Sequence, residues 1–267
     1  RHGCGMAISA LGAGYDGVKL MGGQVFPFDV VSLTEPRLGL IALQSDETIE
    51  RDMRFMLPDV ATLFVSRVPS DVEVTSATLS AMENHLSASA SLFPLGASLD
   101  AVGYGCTSGT AQIGVENVAS KVRAAAAVAN VTQPLTSLIE ACGAMGLSRV
   151  ALLSPYVAQV SKRLQDALAQ AGISTPVFGS FEASTEATVV RISPASITDA
   201  AVSLMSGANV DALFISCTNL RTMDVIEPLE ARLGKPVLTS NQVLAWHMMR
   251  LAGTQPSDRA PGRLFRG

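Results

Sequence analysis

The chain contains one arrangement twice, and that repetition limits the fold more than any other feature. An apolar run ends in Cys-Thr at Ala101-Val102-Gly103-Tyr104-Gly105-Cys106-Thr107, and again at Ala212-Leu213-Phe214-Ile215-Ser216-Cys217-Thr218. The two cysteines lie 111 positions apart (217 − 106), as do Leu40 and Ala151 (151 − 40) in the apolar runs that open each half. Equal offsets at both ends indicate an internal duplication. A further echo places Pro134-Leu135-Thr136-Ser137 after the first cysteine segment and Pro236-Val237-Leu238-Thr239-Ser240 after the second.

Each half alternates short apolar runs with helical patterns. In the first half, Arg37–Leu43 reads as a buried strand and 48–57 as a helix that Ser45 or Asp46 can cap and Pro58 ends. A strand at 61–65, a helix at 77–90, the strand before Cys106 and a helix at 110–127 follow. In the second half, Arg149–Tyr156 matches the opening strand, a helix runs to about residue 171 and 175–178 is the next strand. A polar loop at 182–193 precedes a helix opened by Pro194, and 209–215 leads to Cys217. Strand–helix alternation of this kind specifies parallel sheets covered by helices. The expected fold is α/β, with two similar Rossmann-like domains related by duplication and the active site at their interface. The expected boundaries are an N-terminal extension at 1–35, a first domain at 36–132 plus 241–252, a second at 133–240 and a polar, mobile tail at 253–267. The helix at 241–251 is expected to pack back on the first half.

Composition excludes several classes. Of the 267 residues, 48% are hydrophobic and 16% charged, as in a globular chain. The net charge of −4, without clustered Lys or Arg, speaks against nucleic acid as a partner. No apolar run approaches the roughly 18 residues that span a bilayer, so no membrane association is expected. The beginning of the chain lacks the pattern of an export signal, which leads to the expectation of a cytoplasmic protein with reduced thiols. Cys4, Cys106, Cys142 and Cys217 show no metal-ligand spacing and no nearby His, so neither a metal site nor a disulfide framework is expected.

The cysteines stand where strands end and the following residues read as helix starts, a setting that eases thiol ionisation. Ligands of open α/β sheets bind beyond the C-terminal strand ends, so two facing halves would bring both thiols to one cleft. Backbone N–H groups at 107–109 and 218–220 would then cradle a carboxylate. Other readings carry less. Cys142, in a helical stretch, reads as a small core residue, and Cys4 has no role. Gly12-Ala13-Gly14-Tyr15-Asp16-Gly17 fits a dinucleotide fingerprint by letters but lacks the flanking strand and helix. His85 and His247 show no partnered Ser or carboxylate, which argues against a serine-hydrolase triad.

The paired Cys-Thr motifs, the duplicated halves and Ser216-Cys217-Thr218-Asn219-Leu220-Arg221-Thr222 resemble the aspartate/glutamate racemase superfamily. Within it the chain is most similar to the branch of maleate cis-trans isomerases, arylmalonate decarboxylases and ectoine-utilisation A proteins, over about 37–252. The resemblance implies cofactor-independent chemistry on a small carboxylic acid. In the racemases one thiolate removes an α-proton and the other thiol protonates the opposite face. In the maleate isomerases a cysteine adds to the double bond, the adduct rotates and elimination follows. The decarboxylases use a single cysteine as proton donor, so the presence of both Cys106 and Cys217 points to an isomerase, with a decarboxylase or an enzyme of ectoine-derived amino acids as alternatives. Thr107, Ser108, Thr218 and Asn219 would bind substrate, and Tyr156 matches a substrate-contacting tyrosine. Asp46 and Glu186 fall where the isomerases carry asparagines, with Glu182 nearby, and such carboxylates suit an ammonium or amidinium group better than a dianion. A non-catalytic small-ligand binding protein is the reading outside enzymes, and a homo-oligomer is left open.

Overall fold

The computed structural model describes residues 26–266. The expected readings at Cys4 and at 12–17 lie outside them. Residues 26–34 contain no regular secondary structure, and the compact unit begins at Glu35.

The compact unit contains two four-stranded parallel sheets of matching order. The first is built from β1 (Arg37–Leu43), β2 (Thr62–Val68), β3 (Leu99–Gly105) and β4 (Val128–Thr132), arranged β2-β1-β3-β4. The second is built from β5 (Arg149–Tyr156), β6 (Ser174–Ala183), β7 (Ala212–Ile215) and β8 (Val237–Thr239), arranged β6-β5-β7-β8. The pairings are similar but shifted by one residue: Leu40 lies between Val65 and Gly103, and Ala151, 111 positions on, between Val177 and Leu213. The duplicated α/β architecture thus has the form the sequence leads one to expect. In both sheets the opening strand is central and the Cys-Thr strand lies beside it, so both cysteines emerge from the same end of equivalent strands.

Strands buried on both faces explain the continuous apolar runs. From β1, Leu38, Leu40 and Ala42 pack on Ile49, Met53 and Met56 of α1 (Ile49–Met56) and on Leu244, Ala245 and Met248 of α11 (Ser240–Leu251). Ile41 and Leu43 point the other way, into a cluster that also holds Val102, Ala151, Leu153 and Ile215, so one core runs through both halves. Helix α11 serves both halves, since Val243 and Trp246 join Leu138, Leu152 and Leu238. Its approach to β3 requires Gly103, where an added Cβ would lie 2.5 Å from Met248 Sδ.

Several elements differ from the sequence expectation. Strands β4 and β8 were not anticipated, because strands of five and three residues carry too little periodicity to be recognised. The helix expected at 77–90 is two, α2 (Ser76–Ala81) and α3 (Glu83–Ala90), the first opened by a Thr75–Thr78 capping box. The helix expected at 110–127 begins earlier and is also divided, into α4 (Thr107–Ile113) and α5 (Val115–Arg123), because Gly114 at φ 97° cannot continue a right-handed helix. The polar loop expected at 182–193 contains the short helix α8 (Glu186–Val189). The tail is docked: Ala260 and Leu264 are buried, Gln242 Nε2 donates to Pro261 O at 2.8 Å and Arg263 N donates to the Glu230 carboxylate. Among the described residues no helix is long and apolar enough to cross a membrane.

Candidate active site

The strand ends deliver both thiols into one buried polar cluster. Asp46, Cys106, Tyr156, Glu186, Cys217 and Asn219 are each at most 5% exposed. The two Cys-Thr motifs cross over one another. Thr218 Oγ1 donates to Gly105 O at 3.1 Å, immediately before the first cysteine. In the other direction, Thr107 Oγ1 lies 2.8 Å from Ser240 Oγ, which accepts the Cys217 N–H at 2.9 Å. The Thr107 and Thr218 hydroxyls, among the groups expected to hold substrate, here join the two halves.

Cys106 is the N-cap of α4, in extended backbone at φ −148°, and its Sγ accepts the Gly109 N–H at 3.1 Å. Gly109 is required there, since a Cβ would lie 2.7 Å from Cys106 Sγ and 2.9 Å from Tyr104 Oη. The phenol of Tyr104 lies beside Cys106 and donates to Met82 Sδ at 3.8 Å. Ser108, buried in the first turn of α4, completes this wall.

Cys217 is built differently. No α-helix follows it directly: residues 218–220 form a turn and 221–222 an irregular link, leading to a 3-10 turn at Met223–Val225 and then α10 (Ile226–Leu233). This corrects the expectation of a second helical anion cradle at 218–220. Cys217 adopts φ 101°, a conformation that opposes helix entry, and its Sγ accepts the N–H of Asn219, two residues on, at 3.3 Å. The Asn219 side chain then bridges the halves: its Oδ1 accepts the Glu47 N–H at 2.9 Å and its Nδ2 donates to Glu186 Oε2 at 2.9 Å.

Tyr156 stands at the end of β5 beyond a register shift that follows Ser154, and its hydroxyl donates to Glu186 Oε1 at 2.6 Å while lying 3.0 Å from Cys217 Sγ. Glu186 occupies the first turn of α8, which Thr185 caps. Glu182 is exposed, so of the two glutamates only Glu186 belongs to the cluster. Asp46 Oδ1 accepts the N–H groups of Thr48 and Ile49, both at 2.8 Å, which is the capping role expected of it. Its Oδ2 is buried without a hydrogen-bond partner, and the neighbouring Thr218 hydroxyl is turned to Gly105 instead.

Burial controls the protonation of the cluster. It pushes Cys106 up to about 12, against the opposing Gly109 N–H, and it pushes Cys217 well above the usual thiol range, with the Glu186 charge adding to the rise. The same desolvation raises Asp46 and Glu186. The expectation of thiols eased toward ionisation by helix N-termini is therefore corrected: a short α4 and a turn supply too few aligned N–H groups to offset the loss of water. Cys142 lies in the core among Leu138, Val150 and Leu168, as expected. His85 is exposed, whereas His247 has partners the sequence did not reveal: its Nδ1 lies 2.8 Å from Thr132 Oγ1 and 3.4 Å from Ser137 Oγ.

The two halves also meet above the cluster. Val74 N donates to Ser184 O at 2.9 Å and Glu73 pairs with Thr185 in an isolated antiparallel bridge. A narrow opening lined by Ser45, Ser70, Asp71, Met82 and Glu186 lies beside this bridge. A cavity of about 680 Å³, lined in part by Arg51, Asp52, Phe55 and Arg259, contains neither thiol. No group of three His, Cys, Asp or Glu suited to a metal ion occurs among the described residues. Sequence reasoning missed Ser240, Asn241 and Asp52. Asn241 Nδ2 donates to Thr218 O at 2.8 Å and to the buried Asp52 Oδ2 at 2.9 Å, supporting the Cys217 turn from behind. The echo ending in Thr239-Ser240 was the available signal.

Comparison with known proteins agrees with this architecture. Residues 108–265 match the family model described as arylmalonate decarboxylase. Over 132 residues the chain is 33% identical to the arylmalonate decarboxylase of Bordetella bronchiseptica, covering 49% of this chain and 55% of that protein, so the match spans about half of that relative. It is 24% identical over 246 residues to a maleate isomerase of Pseudomonas putida, covering 86% of this chain and 97% of the relative. The structure of the maleate isomerase Iso from Pseudomonas putida S16 superposes with a TM-score of 0.78 at 24% identity, over 87% of this chain and 98% of that one. A maleate cis-trans isomerase of Nocardia farcinica with a covalently bound succinylcysteine intermediate superposes with a TM-score of 0.75 at 23% identity, over 86% and 98% of the two chains. The family model covers more than half of the sequence, and the chain accordingly belongs to the arylmalonate decarboxylase family, in the branch of the aspartate/glutamate racemase superfamily that includes the maleate isomerases.

Proposed function

We propose that this protein is a cofactor-independent isomerase of a small carboxylic acid, working through Cys106 and Cys217. The observation that carries the reading is the convergence of both thiols, from equivalent strand ends, on one buried cluster with Tyr156 and Glu186. A closed, dry site suits either form of the chemistry, because a carbanion or enediolate formed there is kept from bulk water. In a racemisation, one sulfur takes the α-proton as a thiolate and the other, held as a thiol, delivers a proton to the opposite face. In a cis-trans isomerisation, one sulfur adds to the double bond, the new single bond rotates, and the carbon–sulfur bond breaks to return the thiolate and the isomerised acid. The first-turn N–H groups of α4, at Thr107 and Ser108, have no carbonyl four residues back and can receive a carboxylate. Reduced thiols are required, as in a cytoplasmic compartment.

The unpartnered Asp46 Oδ2 and the nearby Glu186 favour a substrate that also carries a cationic donor, such as the ammonium or amidinium of an amino acid or of an ectoine-derived acid. A second reading, decarboxylation of a substituted malonate, is favoured by the match to the decarboxylase family model and needs only one thiol.

Proton NMR in D₂O with maleate, both enantiomers of aspartate and glutamate, phenylmalonate and hydroxyectoine with its ring-opened derivatives separates these readings. Conversion of maleate, or deuterium entering an α-position, supports the isomerase; release of CO₂ moves the assignment to the decarboxylase. Replacing either cysteine by Ala is expected to lower turnover by at least about 10³-fold with the circular dichroism unchanged. Full activity in either variant overturns the two-thiol reading.

A further inference from the structure

We propose that Glu186 takes the proton of Cys217 through the hydroxyl of Tyr156, a step that rests on Cys217 being a working thiol of the isomerase proposed above. The hydrogen bonds have one consistent direction. Tyr156 has a single hydroxyl proton and donates it to Glu186 Oε1 at 2.6 Å, so across the 3.0 Å contact the Cys217 S–H is the donor and the phenol oxygen the acceptor. Both carboxylate oxygens of Glu186 accept, the second from Asn219 Nδ2 at 2.9 Å. The orientation of that amide is set by its other end, where Oδ1 accepts the Glu47 N–H at 2.9 Å. The route thus runs from sulfur to phenol to carboxylate, among side chains each nine-tenths or more buried.

The transfer is balanced. The Cys217 S–H bond breaks as its proton bonds to Tyr156 Oη, while the Tyr156 O–H bond breaks and that proton bonds to Glu186 Oε1. The products are a thiolate, a phenol and a carboxylic acid; nothing is oxidised and no proton enters or leaves. This resolves a difficulty of the closed site. Creating a new charge on a buried sulfur is costly, but here one negative charge already present on Glu186 moves to the sulfur, so water is not stripped from a second ion. The groups that face Glu186 favour the exchange. Asp46, in the turn after β1, and Cys106, after β3, both disfavour a second anion beside it, and the Asn219 N–H is already aimed at Cys217 Sγ at 3.3 Å. Glu186 acts through Tyr156 and is a positioning residue for the Cys217 proton.

The test reads the thiol directly and needs no substrate. Alkylation of the Cys217 peptide by iodoacetamide is followed by mass spectrometry in the wild type, in Glu186→Gln and in Tyr156→Phe, between about pH 6 and 9, with the Cys106 peptide of the same digest as the reference for opening of the site. Internal transfer makes the wild-type Cys217 rate nearly independent of pH. In both variants the proton must leave to water, so the rate is expected to climb about tenfold per pH unit across this range instead of staying flat. Equal rates and an equal climb in all three proteins overturn the relay. If Glu186→Gln does not fold, the near-isosteric Tyr156→Phe carries the same comparison alone. Relay-type labelling combined with turnover that survives Cys217→Ala retains the relay and removes the isomerase reading. A climb shared by all three proteins, with turnover lost in Cys217→Ala, does the reverse.

Discussion

The Cys106 and Cys217 ends of the two halves leave matching strands and arrive in different surroundings. Each sulfur lies beside a tyrosine, but Tyr104 leads only to the thioether of Met82, whereas Tyr156 leads to the carboxylate of Glu186. Cys106 caps a helix in relaxed extended backbone; Cys217 sits at φ 101° in a turn supported by Asn219, Asn241 and Asp52. Duplication preserved what the sheet needs, and the loops beyond the strand ends diverged. The result is one thiol whose tyrosine has no carboxylate beyond it and one with a buried route to a carboxylate, the asymmetry that an acid and a base acting on opposite faces of a substrate require.

The sharpest way to break the comparison is to remove each phenol. Tyr156→Phe is expected to lower kcat by about 10²-fold or more, while Tyr104→Phe stays within a few-fold, measured on whichever substrate the NMR screen identifies. Equal losses would show the two ends to be equivalent after all.

A smaller effect concerns the support behind Cys217. Burial raises the Asp52 carboxyl to about 6, against the donors Asn241 and Arg51. A carboxyl raised on folding binds its proton more tightly in the native state, so its contribution is fully present below about pH 4 and is lost as pH rises through about 6. Asp52→Asn is therefore expected to match the wild type near pH 4 and to exceed it by on the order of 1–3 kcal/mol near pH 8 in urea unfolding. A deficit at pH 8 would mean that the ion pair with Arg51 outweighs the desolvation.

The smallest difference is in the backbone. At Cys217, Gly is expected to be about 1 kcal/mol more stable than Ala, because only Gly occupies φ 101° without strain. At Cys106, in extended backbone, the order reverses, with Gly about 0.5–1 kcal/mol less stable than Ala. Thermal unfolding of the four variants checks both signs.

Much of the fold was legible in the sequence because parallel strands buried on both faces appear as uninterrupted apolar runs; β1 and β5 fall where Arg37–Leu43 and Arg149–Tyr156 indicate them. Strands β4 and β8 were not legible: three or five residues acquire their identity by pairing with β3 and β7, not from their own pattern. The break at Gly114 depends on a positive φ that the letter alone does not require. The tail looked mobile because it is polar, yet the Glu230 carboxylate and the Gln242 amide supply the partners that dock it.

The sequence by itself determined the duplication, the α/β order and the position of each thiol at a strand end, since these follow from spacing and from hydrophobic burial along the chain. Tertiary structure decided the rest. The crossing of Thr107 to Ser240 and of Thr218 to Gly105 joins residues more than a hundred positions apart. The connection of Cys217 to Tyr156 and Glu186 likewise exists only once the second half has folded. The protonation of the thiols was set against the sequence expectation, because an N-terminal helix position is a local property whereas the desolvation that raises both sulfurs arises from the whole of the surrounding protein.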